Sequence, residues 1–259
     1  MIQAKIKKIL SKKNKTPLVC LSAYSKTMTQ IADQYCDIIL VGDSLGMVLY
    51  GMKSTRKVKI ETMILHTKTV KNFAKKSLVV FDMPFNTYKN KVDAYKNAKK
   101  VIKLTNCDAI KLEGGGKVVD IIKFLTTKGI PVMGHIGLLP QTSKDFKVKG
   151  KNLIQRNNIF RDAVKISTSG AFAIVLECIV ADLAKKITNR IPIPTIGIGA
   201  SKFCDGQILV SDDMLGLNDF NAKFVKKYSN LKRVIDSSIK KYAKEVKSKK
   251  FPTAKNIYK

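Results

Sequence analysis

The stretch IILVGDSLG (residues 38–46) runs from four apolar residues into a glycine and then an aspartate, Asp43. A continuous apolar run of this length is typical of a parallel strand that is buried on both faces. Aspartate also favours turns, so one such case would indicate only that the strand ends there. The same pattern recurs along the chain, and the recurrence predicts the fold.

Seven further apolar runs share this character and are rich in Val, Ile and Leu. With 38–43, the predicted strands are 18–23, 78–83, 109–114, 131–136, 171–177, 194–200 and 207–212. Helix-like segments lie between most of them, and strands that alternate with helices predict a (β/α)8 barrel, also called a TIM barrel. A doubly wound open sheet is the alternative, although no GxGxxG motif follows a strand.

Apolar residues at helical spacing predict helices over 61–76, 117–128 and 180–190, with Gly129 as the C-cap of the second. The long polar link 137–156 predicts an active-site loop. The link SKFCDG (201–206) is too short for a crossover helix. We therefore expect a helical turn running into 207–209 and a very short eighth strand.

The domain organisation predicted for 1–259 is a single barrel domain. It begins with a short amphipathic helix (1–16), carries appended C-terminal helices with basic faces (219–248) and ends in a tail (249–259). No run of ~18 apolar residues predicts a membrane-spanning helix, and the N-terminus lacks the apolar core of a secretory signal. The five widely spaced cysteines, without a CxxC motif, indicate reduced thiols, so we expect a cytoplasmic protein without a membrane partner.

The net charge of +30 raises the possibility of a nucleic-acid partner. Lysines outnumber arginines by 44 to 5, however, and they are scattered over the predicted polar faces. Proteins that read grooves or clamp phosphates favour arginine for its bidentate geometry. The composition therefore favours solvated surfaces without a specific nucleic-acid partner.

Polar side chains end five successive predicted strands. In a barrel of this type the active site lies at the carboxyl ends of the strands, so we expect these side chains to converge on one mouth. The candidates are Asp43 and Ser44, then Asp82, then Lys111 and Glu113, then His135, and finally Glu177.

Carboxylates that face one another repel and raise each other's pKa, and a divalent cation relieves that repulsion. Oxygen ligands favour Mg²⁺, so we predict Asp43 and Asp82 as direct ligands and Glu113 as a ligand directly or through water. Ser44, Lys111 and His135 are predicted to bind an anionic substrate, with Glu177 as the base. A 2-oxo acid would suit this site, because Mg²⁺ can stabilise the enolate that forms when a carboxylate removes the neighbouring proton.

Several sequence motifs resemble those of the 3-methyl-2-oxobutanoate (ketopantoate) hydroxymethyltransferase family, and they occur in order along nearly the whole chain. The motifs are ILVGDSLGMVLYG (39–51), MILHT (63–67), FDMPF (81–85), IKLEGG (110–115), PVMGHIGLLPQ (131–141), VLEC (175–178), IPTIGIGA (193–200) and CDGQILV (204–210). The resemblance implies a Mg²⁺-dependent barrel of the phosphoenolpyruvate/pyruvate type. It also implies transfer of a hydroxymethyl group from 5,10-methylenetetrahydrofolate to 3-methyl-2-oxobutanoate, giving 2-dehydropantoate in pantothenate synthesis.

The resemblance also implies roles for individual residues. The metal ligands fall on Asp43, Asp82 and Glu113, and the keto acid contacts fall on Asp43, Ser44, Asp82 and Lys111. Glu177 corresponds to the family's proton acceptor, and His135 is the histidine of the GHxGL motif. Members of the family form homodecamers built as pentamers of dimers, which is the assembly we expect here.

Three departures from the family pattern lie outside the proposed ligands and base. The loop SKDFKVKG (143–150) is shorter than usual, which places closure of the mouth and KM in question. Ser201 follows Ala200 where the family commonly has glycine, and Asp212-Asp213 replaces the usual His-Asp. Reduced efficiency is the expected consequence.

Other functions stay open at this stage. A Schiff-base aldolase would use Lys111 as its nucleophile. Another Mg²⁺-dependent barrel, acting on phosphoenolpyruvate or isocitrate, would use similar carboxylates. A basic nucleic-acid-binding protein is the non-enzymatic alternative.

Overall fold

Eight parallel strands close into a barrel in chain order, each strand paired with the next and the eighth with the first. The computed structural model describes residues 2–143 and 147–258. The strands are β1 Leu18–Ser22, β2 Ile38–Val41, β3 Leu78–Asp82, β4 Ala109–Glu113, β5 Val132–Gly137, β6 Ala173–Glu177, β7 Thr195–Ile198 and β8 Gly206–Leu209. All the predicted strands are present, and the (β/α)8 barrel is confirmed.

One helix precedes β1, and further helices separate the first seven strands. In chain order they are α1 Ile2–Ser11, α2 Lys26–Tyr35, α3 Leu45–Val48, α4 Ile60–Phe73, α5 Lys91–Thr105, α6 Lys117–Thr127, α7 Leu153–Thr168 and α8 Ala181–Arg190. The helices predicted over 61–76, 117–128 and 180–190 are confirmed as α4, α6 and α8. Gly129 follows the cap residue of α6 at a φ of +78°, a backbone conformation that glycine adopts without strain.

Alternation along the strands divides the core into two layers. In β2, Ile38 and Leu40 belong to one cluster of buried side chains, whereas Ile39 and Val41 belong to another. The first cluster draws on all eight strands, as expected for the barrel interior, and the second packs the strands against the surrounding helices. Both faces of β2 to β6 therefore carry buried apolar side chains, which explains the continuous apolar runs there.

The predicted N-terminal helix (1–16) is present as α1, and it lies against the amino ends of the strands. Ile6 and Ile9 are buried in the interior cluster of the barrel. Three lysines of α1 and the turn after it bind aspartates that directly precede strands: Lys5 with Asp108, Lys12 with Asp37, and Lys13 with Asp205. This helix therefore covers the end of the barrel opposite the predicted active site.

The prediction of a helical turn running into 207–209 was wrong, although the short eighth strand was correct. Turns without a helix join β7 to β8, and the structure describes all of 199–205. Gly206 allows this short return because a Cβ atom there would lie 2.6 Å from the backbone oxygen of Leu18. With only hydrogen at that position, β8 approaches β1 closely enough to complete the barrel.

The chain divides into two compact units, Met1–Val210 and Ser211–Lys259. The second unit contains α9 Ser211–Met214 and α10 Leu231–Lys247. In the predicted helical span 219–248 the helix begins only at Leu231, where the Asn230 side chain accepts the backbone N–H of Arg233. The predicted tail (249–259) contains a short 3-10 turn at Ala254–Asn256, and the single-domain organisation stays a prediction. Within the described residues, no helix has the length and apolar character needed to cross a membrane.

Asp33 links α2 to the start of β3 and gives a prediction about stability. Its carboxylate accepts the backbone N–H groups of Lys75, Lys76 and Ser77 at 2.8–3.1 Å. Burial raises the pKa of Asp33, but these hydrogen bonds outweigh it and hold the pKa below its ordinary value. The stabilisation is therefore present above the ordinary carboxyl pKa and is lost as the pH falls through the lowered folded-state value.

We expect Asp33→Asn to lower the free energy of unfolding by about 1–3 kcal/mol near neutral pH, because its amide group leaves part of the turn unpaired. The deficit relative to the unmodified chain should shrink as the pH is lowered toward about 2. Urea unfolding at neutral pH and at the low pH measures the difference in the free energy of unfolding. The exposed Asp236→Asn is the matched control. An equal deficit at both pH values would contradict the assigned role of the charge.

Candidate active site

The barrel brings the predicted site residues together at the carboxyl ends of its strands. Asp43 lies directly after β2, Asp82 ends β3, and β4 carries Lys111 and Glu113. Strand register places Lys111 opposite Asp82, and Glu113 opposite a histidine of β5. These four side chains are buried, so their charges interact without much screening by water.

Lys111 and Asp82 form a buried ion pair at the centre of this group. The Lys111 Nζ atom lies 2.8 Å from Asp82 Oδ1, and the backbone N–H of Asp43 donates to Asp82 Oδ2 at 3.3 Å. Burial alone would lower the pKa of Lys111, but the charges of Asp82, Asp43 and Glu113 raise it well above its ordinary value. Lys111 is therefore a permanent cation at neutral pH.

Asp43 is the carboxylate whose ionisation is most affected by the cluster. Burial, followed by the negative charge of Asp82, raises the pKa of Asp43 to about 7, although Lys111 opposes the rise. The charge of Glu113 contributes to the rise as well. The three carboxylates proposed as ligands are thus close enough to repel one another in the folded protein.

His135 lies between two carboxylates. Its Nδ1 atom is 3.5 Å from Glu113 Oε2, and its Nε2 atom is 3.2 Å from Glu177 Oε2. Burial and the charge of Lys111 lower its pKa, but Glu113 and Glu177 outweigh them and raise it to about 9. Neither ring nitrogen has the angles of a good hydrogen bond, so the contacts are mainly electrostatic. The described contacts of His135 are thus with the predicted ligand and the predicted base, and its role toward a substrate stays a prediction.

Ser44 lies beside a group of aromatic side chains. The Tyr24 hydroxyl is 2.8 Å from Ser44 Oγ, and the Tyr24 backbone carbonyl lies 2.8 Å from His66 Nδ1. A carbonyl can only accept, so Nδ1 carries a proton, and Nε2 forms a hydrogen bond with the Tyr50 hydroxyl at 2.9 Å. His66 thereby orders the segment that carries Tyr24.

Gln141 and Tyr88 had no predicted role in the sequence analysis, but their side chains form hydrogen bonds with residues of this site. Gln141 is buried, and its amide nitrogen donates to Asp43 Oδ2 at 2.8 Å. Its backbone N–H donates to Glu113 Oε1 at 2.9 Å, and its side-chain oxygen accepts the Tyr88 hydroxyl. A neutral amide in a polar loop carries no periodic or charge signal, so a single sequence offers little that would have identified it.

The predicted active-site loop lies partly outside the described residues, since 144–146 are not described. Its second half returns beside β6, where Lys149 forms a parallel bridge with Ile179. The backbone N–H of Lys149 donates to the Cys178 carbonyl at 2.8 Å. Lys149, near the end of this loop, is therefore anchored directly after the strand that carries Glu177.

Over residues 2–143 and 147–258, no group of three His, Cys, Asp or Glu side chains is arranged as a ready-made metal site. Lys111 holds one oxygen of Asp82, and Gln141 holds one oxygen each of Asp43 and Glu113. The donor chemistry nevertheless fits a hard divalent cation, because buried carboxylates raise one another's pKa and all the candidate ligand atoms are oxygens.

The fold and the site together define a (β/α)8-barrel enzyme with a buried cluster of carboxylates, lysine and histidine at its mouth. Similar solved structures include phosphonopyruvate hydrolase in complex with oxalate and Mg²⁺ (TM-score 0.61, 11% identity, covering 97% of this chain and 93% of that one). Another is 2,3-dimethylmalate lyase, a member of the PEP mutase/isocitrate lyase superfamily (TM-score 0.63, 11% identity, covering 97% and 86%). At this identity the likeness concerns the fold alone, and it agrees with the (β/α)8 barrel.

The family model for ketopantoate hydroxymethyltransferase matches residues 3–254. A 3-methyl-2-oxobutanoate hydroxymethyltransferase of Pelagibacter ubique (strain HTCC1062) is 54% identical over 98% of this chain and 99% of its own length. One of Rhizobium etli is 49% identical over 97% and 94%. The chain belongs to the ketopantoate hydroxymethyltransferase family. The predicted family is confirmed, as is the expectation of an enzyme, a transferase of pantothenate biosynthesis.

Proposed function

We propose that this chain transfers a hydroxymethyl group from 5,10-methylenetetrahydrofolate to 3-methyl-2-oxobutanoate, giving 2-dehydropantoate. The observation that carries the proposal is the cluster in which, among the described residues, four carboxylates (Asp43, Asp82, Glu113 and Glu177) lie beside two cationic side chains, Lys111 and His135. The names of the relatives support the choice of keto acid.

The charges of the cluster favour a divalent cation. Four carboxylates against two cationic groups leave an excess of two negative charges when every group is ionised. Asp43, Asp82 and Glu113 would hold Mg²⁺ through oxygen atoms. When bound, Mg²⁺ supplies Lewis acidity that favours negative charge on the keto oxygen of the substrate.

Glu177 is proposed as the base that removes the C3 proton of the keto acid. Among the four carboxylates its side chain is the most accessible, at 17% exposure, so a substrate in the mouth can reach it. The His135 Nε2 atom lies 3.2 Å from the Oε2 atom of Glu177 and attracts that oxygen electrostatically, which leaves the other oxygen to accept a proton. The resulting C3 carbanion forms a carbon–carbon bond to the one-carbon unit of 5,10-methylenetetrahydrofolate. A water molecule supplies the oxygen of the hydroxymethyl group, and tetrahydrofolate is the leaving group.

Ser44 and Lys111 are proposed to bind the oxygens of the keto acid. When the Tyr24 hydroxyl donates to Ser44 Oγ, the Ser44 hydrogen is left to donate to the substrate. Lys111 adds a fixed positive charge, because its pKa is raised by the carboxylates around it.

The proposed assembly follows from the resemblance alone, and the proposed location follows from the cysteine pattern of the sequence. We propose a homodecamer built as a pentamer of dimers, acting in the cytoplasm. Light scattering of the purified protein tests the assembly, with ten copies of the 28.8 kDa chain as the expected mass.

Metal removal separates this proposal from a Schiff-base aldolase. We expect EDTA to abolish formation of 2-dehydropantoate, and Mg²⁺ to restore it, because the carboxylates repel one another without a cation. Borohydride added with the keto acid should leave Lys111 unmodified, since a lysine held as a buried cation is a poor nucleophile. Full activity in EDTA together with a borohydride adduct on Lys111 would overturn the metal-dependent mechanism.

A further inference from the structure

Gln141 forms hydrogen bonds with several residues of the site, although it has been assigned no role in the proposed reaction. Its backbone N–H donates to Glu113 Oε1 at 2.9 Å, and its side-chain nitrogen donates to Asp43 Oδ2 at 2.8 Å and to the Met83 carbonyl at 3.0 Å. The side chain is 1% exposed, so water does not compete for these bonds. One residue thereby joins two of the three proposed ligand carboxylates and the segments after β2 and β3.

The orientation of the Gln141 amide follows from its partners. The Asp43 carboxylate and the Met83 carbonyl can only accept, so the NH₂ group must face them. The amide oxygen therefore faces the Tyr88 hydroxyl, which donates to it at 2.5 Å. The Tyr88 oxygen in turn accepts the backbone N–H of Glu113 at 3.3 Å. Both hydrogens and the oxygen of the amide are thus used, and the group has one orientation.

A neutral donor has a particular advantage at this position. A lysine or arginine beside Asp43 would hold the carboxylate equally well, but its charge would oppose a divalent cation. An amide holds the carboxylate in place without adding charge. Gln141 therefore fixes the two carboxylates and leaves the negative potential of the site intact.

We propose that Gln141 is a positioning residue that holds Asp43 and Glu113 in the arrangement in which they bind a divalent cation, with Tyr88 fixing its amide. This inference rests on the proposed function, because it assumes that these carboxylates are cation ligands. Hydrogen-bonding partners of metal ligands commonly control the affinity of a site, even though they never touch the metal.

The test measures cation binding directly in the absence of substrate. Mn²⁺ is the probe, since it takes oxygen ligands as Mg²⁺ does, and electron paramagnetic resonance of free Mn²⁺ gives its Kd. We expect Gln141→Leu to raise the Kd about 10–100-fold. Tyr88→Phe, which keeps the ring in place, should raise it in the same direction by a smaller factor. The exposed Gln30→Leu on α2 is the matched control, and thermal unfolding is followed for every variant.

The activity of the variants gives a second readout. If Gln141 acts through the cation, the loss of turnover in Gln141→Leu should diminish as the Mg²⁺ concentration rises, whereas a folding defect would not respond in this way. Variants that unfold at lower temperature but bind Mn²⁺ with the unmodified Kd would overturn the inference and leave the proposed function standing. Failure of the unmodified protein to bind Mn²⁺ would overturn both.

Discussion

Glu177→Gln is expected to slow the removal of the C3 proton from 3-methyl-2-oxobutanoate by about 10²–10⁴-fold, the usual contribution of a general base. Glutamine has the shape of glutamate, and its carbonyl oxygen can preserve the contact that Glu177 Oε2 makes with His135 at 3.2 Å. It cannot accept a proton at neutral pH. Proton NMR of the keto acid in D₂O measures the effect as the rate at which the C3 proton exchanges for deuterium.

Substrate binding should change little in this variant, so the loss should appear in kcat and much less in KM. Glu245→Gln, at a partly exposed position of α10, is the matched control and should exchange at the unmodified rate. An unchanged exchange rate in Glu177→Gln would remove Glu177 from the role of base.

Asp82→Asn is expected to affect stability and activity together. Asp82 is the ion-pair partner of Lys111 and accepts the backbone N–H of Asp43, so the substitution removes the direct ion-pair partner of a buried lysine. Loss of one partner of a buried pair costs about 3–5 kcal/mol. Urea unfolding should reveal a destabilisation of this order, and enolisation of the keto acid should fall to background because a proposed metal ligand is lost.

A double variant separates the two effects. Lys111→Met in the Asp82→Asn background removes the unpaired charge and should recover much of the lost stability, because an apolar side chain replaces the cation. It should not recover activity, since both residues are proposed to serve the substrate or the metal. Recovery of activity together with stability would indicate that the pair serves folding only.

The strands could be predicted from the sequence because they are buried on both faces. A run such as Ile38–Val41 must be apolar throughout, since alternate side chains face the barrel interior and the helices. The positions of Asp43, Asp82 and Glu113 could also be predicted from the sequence, because barrel topology places the carboxyl ends of all strands at one mouth. Their convergence follows from fold and chain order alone.

Other features depend on three-dimensional contacts that one sequence does not encode locally. In the sequence, nothing distinguishes Lys5, Lys12 and Lys13 from the many surface lysines. In the structure, each binds an aspartate at the amino end of a barrel strand. The return into β8 was predicted as a helical turn because the close approach of Gly206 to Leu18 depends on strands distant in sequence. Gln141 escaped prediction for the same reason, since its partners come from three different strand ends.

The central claim is that the carboxylate cluster at the barrel mouth uses a divalent cation to enolise the keto acid. Proton NMR of 3-methyl-2-oxobutanoate in D₂O with the purified protein tests it most directly, with and without Mg²⁺ and then with methylenetetrahydrofolate. We expect the C3 proton signal to disappear only when Mg²⁺ is present, and 2-dehydropantoate to form when the folate is added. A folded protein that gives no Mg²⁺-dependent exchange would contradict the account.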